Sequence, residues 1–366
     1  MIADQVLVQP PLLTADIPGT GGTLRAQPED FEVEELPAYE PSRSGDHLFL
    51  WVEKRGRTTR EVAQFLARAL GIGERDVGFA GLKDKRAKTR QFFSVPLHPR
   101  VEARLEEVLR PEAFDGVRVL SHARHGNKLK TGHLRGNRFR IRLRDVHPEA
   151  LPWAQAAAER LRQCGLANAF GPQRFGRDGL NAERGRAIVL RQERPDLGRV
   201  ARDRFLRRLC VSAYQSLLFN RVLAERVAEG LFERAIDGDL MKKLDTGGLF
   251  TSRNPDEDTP RLKRFDIAPT GPIFGHKMMR PESSAWERES RVLAAEGLDL
   301  AAFAHLRADA EGSRRPLRIP IEVAVSSEDP GTLLLDFALP KGAFATALLR
   351  EVMKDAVALP DELDAS

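Results

Sequence analysis

Residues 137–146 read Asn-Arg-Phe-Arg-Ile-Arg-Leu-Arg-Asp-Val and alternate without a break. Phe139, Ile141 and Leu143 fall on one side, and Arg138, Arg140, Arg142 and Arg144 on the other. A side-chain period of two marks a strand buried on one face, so the stretch predicts a half-buried strand with a basic outer face. A sheet therefore exists, and the rest of the chain must supply its neighbours and its cover. Residues 47–53 (HLFLWVE) are a second strand candidate, and 77–80 and 91–96 give two short ones. Residues 23–33 read as a strand interrupted at Pro28. Thr58 and Glu61 form a capping box, after which Val62, Phe65, Leu66, Ala69 and Leu70 line one helical face that stops at Gly71.

From about residue 150 the texture changes. Helical spacing covers 151–165 and 203–229, whereas 245–260 and 268–276, rich in Gly and Pro, read as loops. Strand patterning returns at 317–325 and 333–339, followed by a helix at about 343–357. No internal repeat or low-complexity tract is present. A β-rich start, a helical middle and a β-rich end predict one domain inserted into another.

The chain has 366 residues, 42% of them hydrophobic, enough for a sizeable core. No apolar run approaches the ~18 residues of a membrane span, and the first residues lack the basic and apolar regions of a signal peptide. Cys164 and Cys210 are far apart, which excludes a zinc ribbon or disulfide scaffold and suits a reducing compartment. A soluble, cytoplasmic protein is expected, with a monomer the favoured state. His122, His125 and His133 lack Cys or carboxylate partners at ligand spacing, so no metal is expected. Residues 19–22 (GTGG) form a turn without the strand-to-helix context of a nucleotide loop.

Lys and Arg number 58 against 53 acids, a modest excess of +5, so clustering matters more than the total. Nine cations and no acid lie between Arg118 and Arg144, among them Arg124, Lys128 and Lys130. A solvated basic face is one reading; two such runs favour a polyanion partner. The second run is Gly81-Leu82-Lys83-Asp84-Lys85-Arg86-Ala87-Lys88-Thr89-Arg90-Gln91, in which one carboxylate sits among five cations. Such company favours the charged carboxylate and lets it approach a phosphodiester chain. An aspartate that merely organises a tight turn would look the same.

This segment resembles the G-x-K-D-[KR]-x-A-x-T-x-Q signature of the TruD family of pseudouridine synthases, whose Asp is catalytic. Four further stretches are similar to family motifs and occur in family order: 24–33 (LRAQPEDFEV), 136–139 (GNRF), 168–176 (NAFGPQRFG) and 339–346 (LPKGAFAT). The resemblance implies an α+β fold. A catalytic domain with a mixed, mostly antiparallel sheet flanked by helices would occupy 1–165 and 315–366, interrupted by an inserted α/β domain at 166–314. It also implies an isomerase that converts uridine to pseudouridine in tRNA, at uridine 13 of the D arm, with Asp84 as nucleophile and no cofactor. Arg25 would stand where some members carry a Lys that pairs with the catalytic Asp, keeping the charge but changing its geometry. Lys83, Asn137, Phe139 and Phe344 would support the aspartate or the substrate. Lys85, Arg86, Lys88, Arg90, Arg124, Lys128, Lys130 and Arg174 would bind RNA. Ala169 departs from the family's Tyr, so any contact of that ring is absent here. Two rivals use the same surface. A non-catalytic RNA binder would have no reason to place a carboxylate among the cations, and an RNA glycosylase would release free uracil.

Overall fold

The computed structural model describes residues 9–111, 113–176 and 179–354. Strands, and α-helices of nine residues or more, are numbered along the chain. Two compact units emerge: residues 19–158 with 322–343, and residues 159–321 with 9–18 and 344–354.

The first unit is a nine-stranded sheet. Its strands are β1 (Thr23–Leu24), β2 (Phe31–Pro37), β3 (His47–Arg55), β4 (Gly78–Phe79), β5 (Lys88–Pro96), β6 (Val117–His125), β7 (Leu134–Arg144), β14 (Val323–Asp329) and β15 (Thr332–Pro340). The main order is β14-β15-β7-β2-β5-β3-β6, with β1 beside β7 and β4 beside β5. Among the described residues only the β2–β5 pair of this sheet is parallel, as expected where a helix crosses over between strands. That helix is α1 (Thr59–Leu70). Thr58 Oγ1 accepts from Glu61 N and Glu61 Oε2 accepts from Thr58 N, closing the capping box. Gly71 ends the helix at φ 67, a left-handed angle that suits glycine. Val62, Leu66 and Leu70 then bury themselves against Leu48, Leu50, Val52, Phe93 and Val95.

One cross-strand row of the buried face carries a charge. Phe337, Phe139, Val33, Thr89 and Lys54 lie side by side across β15, β7, β2, β5 and β3. All five are buried, so this core row of the sheet places a lysine among uncharged side chains, with the buried Val117 of β6 beyond it. The opposite face differs from the expected basic surface. Arg138 pairs with Asp336, Arg142 with Glu328 and Glu32, and Arg144 with Asp30. The acids come from neighbouring strands and turns, which a reading of one strand does not register.

The second unit is built on α4 (Arg204–Ala228), whose Val211, Tyr214, Leu218, Phe219 and Leu223 form the spine of its core. Helix α3 (Leu180–Val189) lies close against it because Gly185 has no side chain: a Cβ there would sit 2.0 Å from Cys210 O. A four-stranded sheet runs β10 (Leu249–Thr251), β9 (Leu240–Lys243), β11 (Ile267–Ile273), β12 (Ser313–Pro316), and the short β8 (Leu166–Ala167) pairs with β13 (Arg318–Ile319). Helices α5 (Pro255–Lys263), α6 (Ser283–Ala295) and α7 (Ala345–Met353) complete it, while α2 (Ala150–Cys164) begins in the first unit and ends in the second.

Several expectations need correction. The expected loop 245–260 contains β10 and most of α5, and 268–276 is largely the buried strand β11. Pro255 suits the first turn of a helix, where no N–H is missed. In β11, Pro269 and Pro272 hold ladder positions beside Met241 and Arg314. The expected strand 317–325 breaks after Ile319, where Pro320 ends β13. Residues 9–18 and 344–354 group with 159–321, unlike the expected division. Their reason is local: Glu351 on α7 accepts from Leu13 N, Thr14 N and Thr14 Oγ1 in a buried cluster. The expected helix to 357 passes beyond Lys354, outside the described residues.

Candidate active site

The segment 81–87 joins β4 to β5 and carries Asp84. Its backbone is fixed from three directions. Gln91 Nε2 donates to Gly81 O at 2.9 Å, and Thr59 Oγ1 accepts from Lys83 N at 2.9 Å while donating to Gln91 Oε1 at 3.0 Å. From within that core row, Lys54 Nζ donates to Asp84 O at 2.7 Å, Arg57 O at 2.8 Å and Lys83 O at 3.3 Å. On the third side Lys83 Nζ reaches Asn137 Oδ1 at 2.8 Å and Glu35 Oε2 at 3.1 Å. Glu35 and Asn137 are paired in register on β2 and β7, which brings the two acceptors together.

The Asp84 side chain is left 34% exposed, and Arg25 Nη2 meets its Oδ2 at 2.8 Å. No protein donor reaches Oδ1 among the described residues. Arg25 is held at φ 60, a conformation that costs roughly 1–2 kcal/mol for an L-residue. Its guanidinium lies 4.0 Å from the centre of the Phe31 ring. Phe31 stands edge-on to Phe139, which stacks on Phe337 at 5.2 Å. The aspartate thus has a rigid backbone, one oriented oxygen and one unengaged oxygen.

Burial dominates the electrostatics beneath it. It pushes the Lys54 ammonium down to about 8, against the Asp84 charge, which favours protonation. It also raises the Glu35 carboxyl above its usual range, against the pull of Lys83. A buried ion pair of this kind contributes little net stability but is costly to break on one side. Its use here is positional.

Of the residues singled out from sequence, Arg25, Lys83, Asp84 and Asn137 come together. Phe139 is 8% exposed between Phe31 and Phe337, where it packs the core. Phe344 belongs to the second unit and packs on Phe170. Lys88 and Arg90 turn to the outer sheet face, into ion pairs with Glu32, Glu34 and Glu53. Arg124 pairs with Glu102, and Lys128 donates to Arg75 O. Lys85, Arg86 and Lys130 are exposed with no acid within ion-pair reach among the described residues. Arg174 lies in the second unit. His125 stacks on Tyr39 and His133 Nδ1 bonds the Tyr39 hydroxyl at 2.8 Å. Among the described residues no cluster of three His, Cys, Asp or Glu side chains is arranged to hold a metal. No described helix is long and apolar enough to cross a membrane.

Sequence reasoning missed Lys54, Glu35 and Thr59. A signal existed for two of them. Leu48, Leu50, Val52 and Lys54 share one parity of β3, and Phe31, Val33 and Glu35 share one parity of β2. A charged residue at an inward position needs a buried partner.

A mixed, mostly antiparallel sheet with flanking helices, a second α/β unit and an aspartate held in a basic loop fit the α+β pseudouridine synthase class that the sequence motifs implied. The family model for "tRNA pseudouridine synthase D (TruD)" matches residues 8–195 and 200–352. The tRNA pseudouridine synthase D of Anaeromyxobacter sp. (strain Fw109-5) is 54% identical over 353 residues, covering 96% of this chain and 98% of that one. One from Thermus thermophilus is 46% identical over 346 residues, covering 94% and 92%. A crystal structure described as a candidate tRNA pseudouridine synthase D from Methanosarcina mazei superposes with a TM-score of 0.76 at 25% identity, covering 96% and 97%. The chain belongs to the TruD family and is, by that membership, an isomerase.

Proposed function

We propose that this chain converts uridine to pseudouridine in tRNA, at uridine 13 of the D arm, in the cytoplasm, with Asp84 as the nucleophile. The observation that carries this reading is the contrast within one residue: the Asp84 backbone is clamped, yet its Oδ1 is unengaged at the surface. The target base leaves the RNA stack so that its sugar can meet that oxygen. Asp84 Oδ1 bonds to the ribose carbon as that carbon's bond to N1 breaks and the uracil leaves with the electron pair. The uracil turns, and carbon five bonds to the same ribose carbon as the bond to Asp84 breaks. Carbon five loses a proton and N1 gains one. Substrate and product are isomers, so the balance calls for no oxidant, reductant or nucleotide. Arg25 orients the carboxylate, Lys83 and Asn137 brace its loop, and the exposed Lys85 and Arg86 meet phosphates beside it.

The test uses unmodified tRNA transcripts carrying tritium at uracil carbon five. Tritium release without added metal or nucleotide is the expected result, whereas free uracil would indicate a glycosylase. Asp84→Asn should lower conversion by orders of magnitude while tRNA affinity holds or rises, since one negative charge leaves a phosphate-facing loop. An active Asn variant removes Asp84 from the mechanism.

A further inference from the structure

In the second unit, arginines that reach into the protein are matched with acids. Arg226 pairs with Asp239, Arg314 with Glu289, and Arg318 lies 3.7 Å from Glu233. Arg174 and Arg315 break this rule. Arg174, on the turn Pro172–Phe175, donates to the hydroxyls of Ser212 and Ser216 and has no acid partner among the described residues. Arg315 donates to Asn168 O and Oδ1 and lies 4.2 Å over the Phe170 ring, also without an acid. Burial lowers the pKa of both, and Arg174's charge helps to bring Arg315 down to about 10. Two neighbouring cations held without a counter-ion form a site that favours an added anion.

Arg174 also lines an open pocket of about 800 Å³ with Arg204, Phe205, Arg208, Ser212 and Gln215. Its two acids are already engaged: Asp309 by Arg207, Arg208 and Arg204, and Glu311 by Lys277. The surroundings therefore stay positive. Phe205, at the rim, is 64% exposed and is the only aromatic among the large apolar side chains exposed in the described residues. An arginine fork beside hydroxyls suits a phosphodiester, and an exposed ring flanked by arginines suits an unpaired base.

We propose that this pocket is an RNA-backbone site, in which Arg174, backed by Arg315, holds a phosphodiester, Arg204 and Arg208 meet its neighbour, and Phe205 stacks on an unpaired base. The inference rests on the reading of RNA as substrate and adds a second contact region to it. The test is equilibrium binding of an unmodified tRNA transcript across a salt series, with uridine conversion by the wild type read in parallel. Arg174→Gln should weaken binding about tenfold and lower the slope of log K against log salt by roughly 0.7–0.9. Phe205→Ala should weaken binding by about fivefold or more with the salt slope unchanged. Because Arg174 also packs, the surface double variant Arg204→Ala/Arg208→Ala provides an independent measure and should lower the slope as well. Variants that melt as the wild type does, yet bind tRNA with its affinity and slope, overturn the proposal. So does protection of the wild type by inorganic phosphate if tRNA affinity ignores all three variants, since the pocket would then serve a free anion. A wild type that converts uridine while the variants bind normally sinks this inference alone. Variants that lose affinity beside a wild type that converts nothing sink the Asp84 reading alone.

Discussion

Arg25 and Lys54 hold Asp84 in different ways, and the two separate experimentally. Arg25 touches the carboxylate itself at 2.8 Å, so Arg25→Ala should cost about 1.5–3 kcal/mol of transition-state stabilisation, read from kcat/KM. Arg25→Lys keeps the charge and should lose less; equal loss for Lys and Ala would mean the ion pair is not what matters. Among the described residues Lys54 Nζ donates to backbone carbonyls alone. As an ammonium it has three donors for three acceptors, and as an amine only two. Its folded pKa is depressed to about 8 from 10.5, so the grip loosens as pH rises through about 8. Wild-type kcat should fall along an alkaline limb near that pH. Lys54→Met should lack that limb and have a kcat lower by about ten- to a hundredfold at neutral pH, the scale of a small misplacement. Stability runs the other way. The unfolded chain holds this proton more tightly, so wild-type unfolding free energy, relative to Lys54→Met, should rise with pH between about 8 and 10.5.

At the scale of elements, α1 does two jobs with adjacent residues. Thr58 caps the helix, while Thr59 accepts from Lys83 N in the Asp84 loop. Thr58→Ala should therefore cost about 1 kcal/mol in chemical denaturation and leave kcat alone. Thr59→Val keeps the shape but strands a buried donor, and should lower kcat as well as stability, the latter by roughly 1–3 kcal/mol. If both variants behave alike, the loop is not anchored through Thr59. The same helix shows what a sequence discloses. Its cap, its apolar stripe and its glycine stop are local, and all three were legible. So was the alternation of β7. Strand β11 was not, because Pro269, Gly271 and Pro272 signal a loop and only pairing with β9 and β12 makes a strand of them. Gly271 fits there because a Cβ would lie 2.5 Å from Leu317 Cδ2, a neighbour that no local pattern announces. In the site, Asp84 and Arg25 were legible by family resemblance. Lys54 and Glu35 stand at inward strand positions, a local sign that each needs a buried partner, but the partners became visible only once the loop was folded over them.

For the whole molecule, the +5 charge says less than its distribution. Arginines 138, 142 and 144 are paired with acids across the sheet, whereas Lys85 and Arg86 stand exposed and without such partners among the described residues. Lys85→Ala and Arg86→Ala should each lower the salt slope of tRNA binding by roughly 0.7–0.9. Arg138→Ala should leave that slope unchanged, because its charge is already matched by Asp336. A slope that responds to Arg138 but not to Lys85 or Arg86 would place the RNA on the opposite face of the sheet.

The strand order has a consequence for how the protein is made. Strand β15 lies between β14 and β7, yet the chain reaches it nearly two hundred residues after β7. At ~5–20 residues per second a ribosome needs roughly ten to forty seconds to supply it. Throughout that interval β7 is an open edge, the kind of surface on which nascent chains stick to one another. Its outer face carries four arginines, Arg138, Arg140, Arg142 and Arg144, and the acids Asp336 and Glu328 that pair with Arg138 and Arg142 come only with β15 and β14. Arg142 and Arg144 already have Glu32 and Asp30 beside them, so until β14 and β15 arrive it is Arg138 and Arg140 that leave this edge with unmatched positive charge, which disfavours pairing between two such edges.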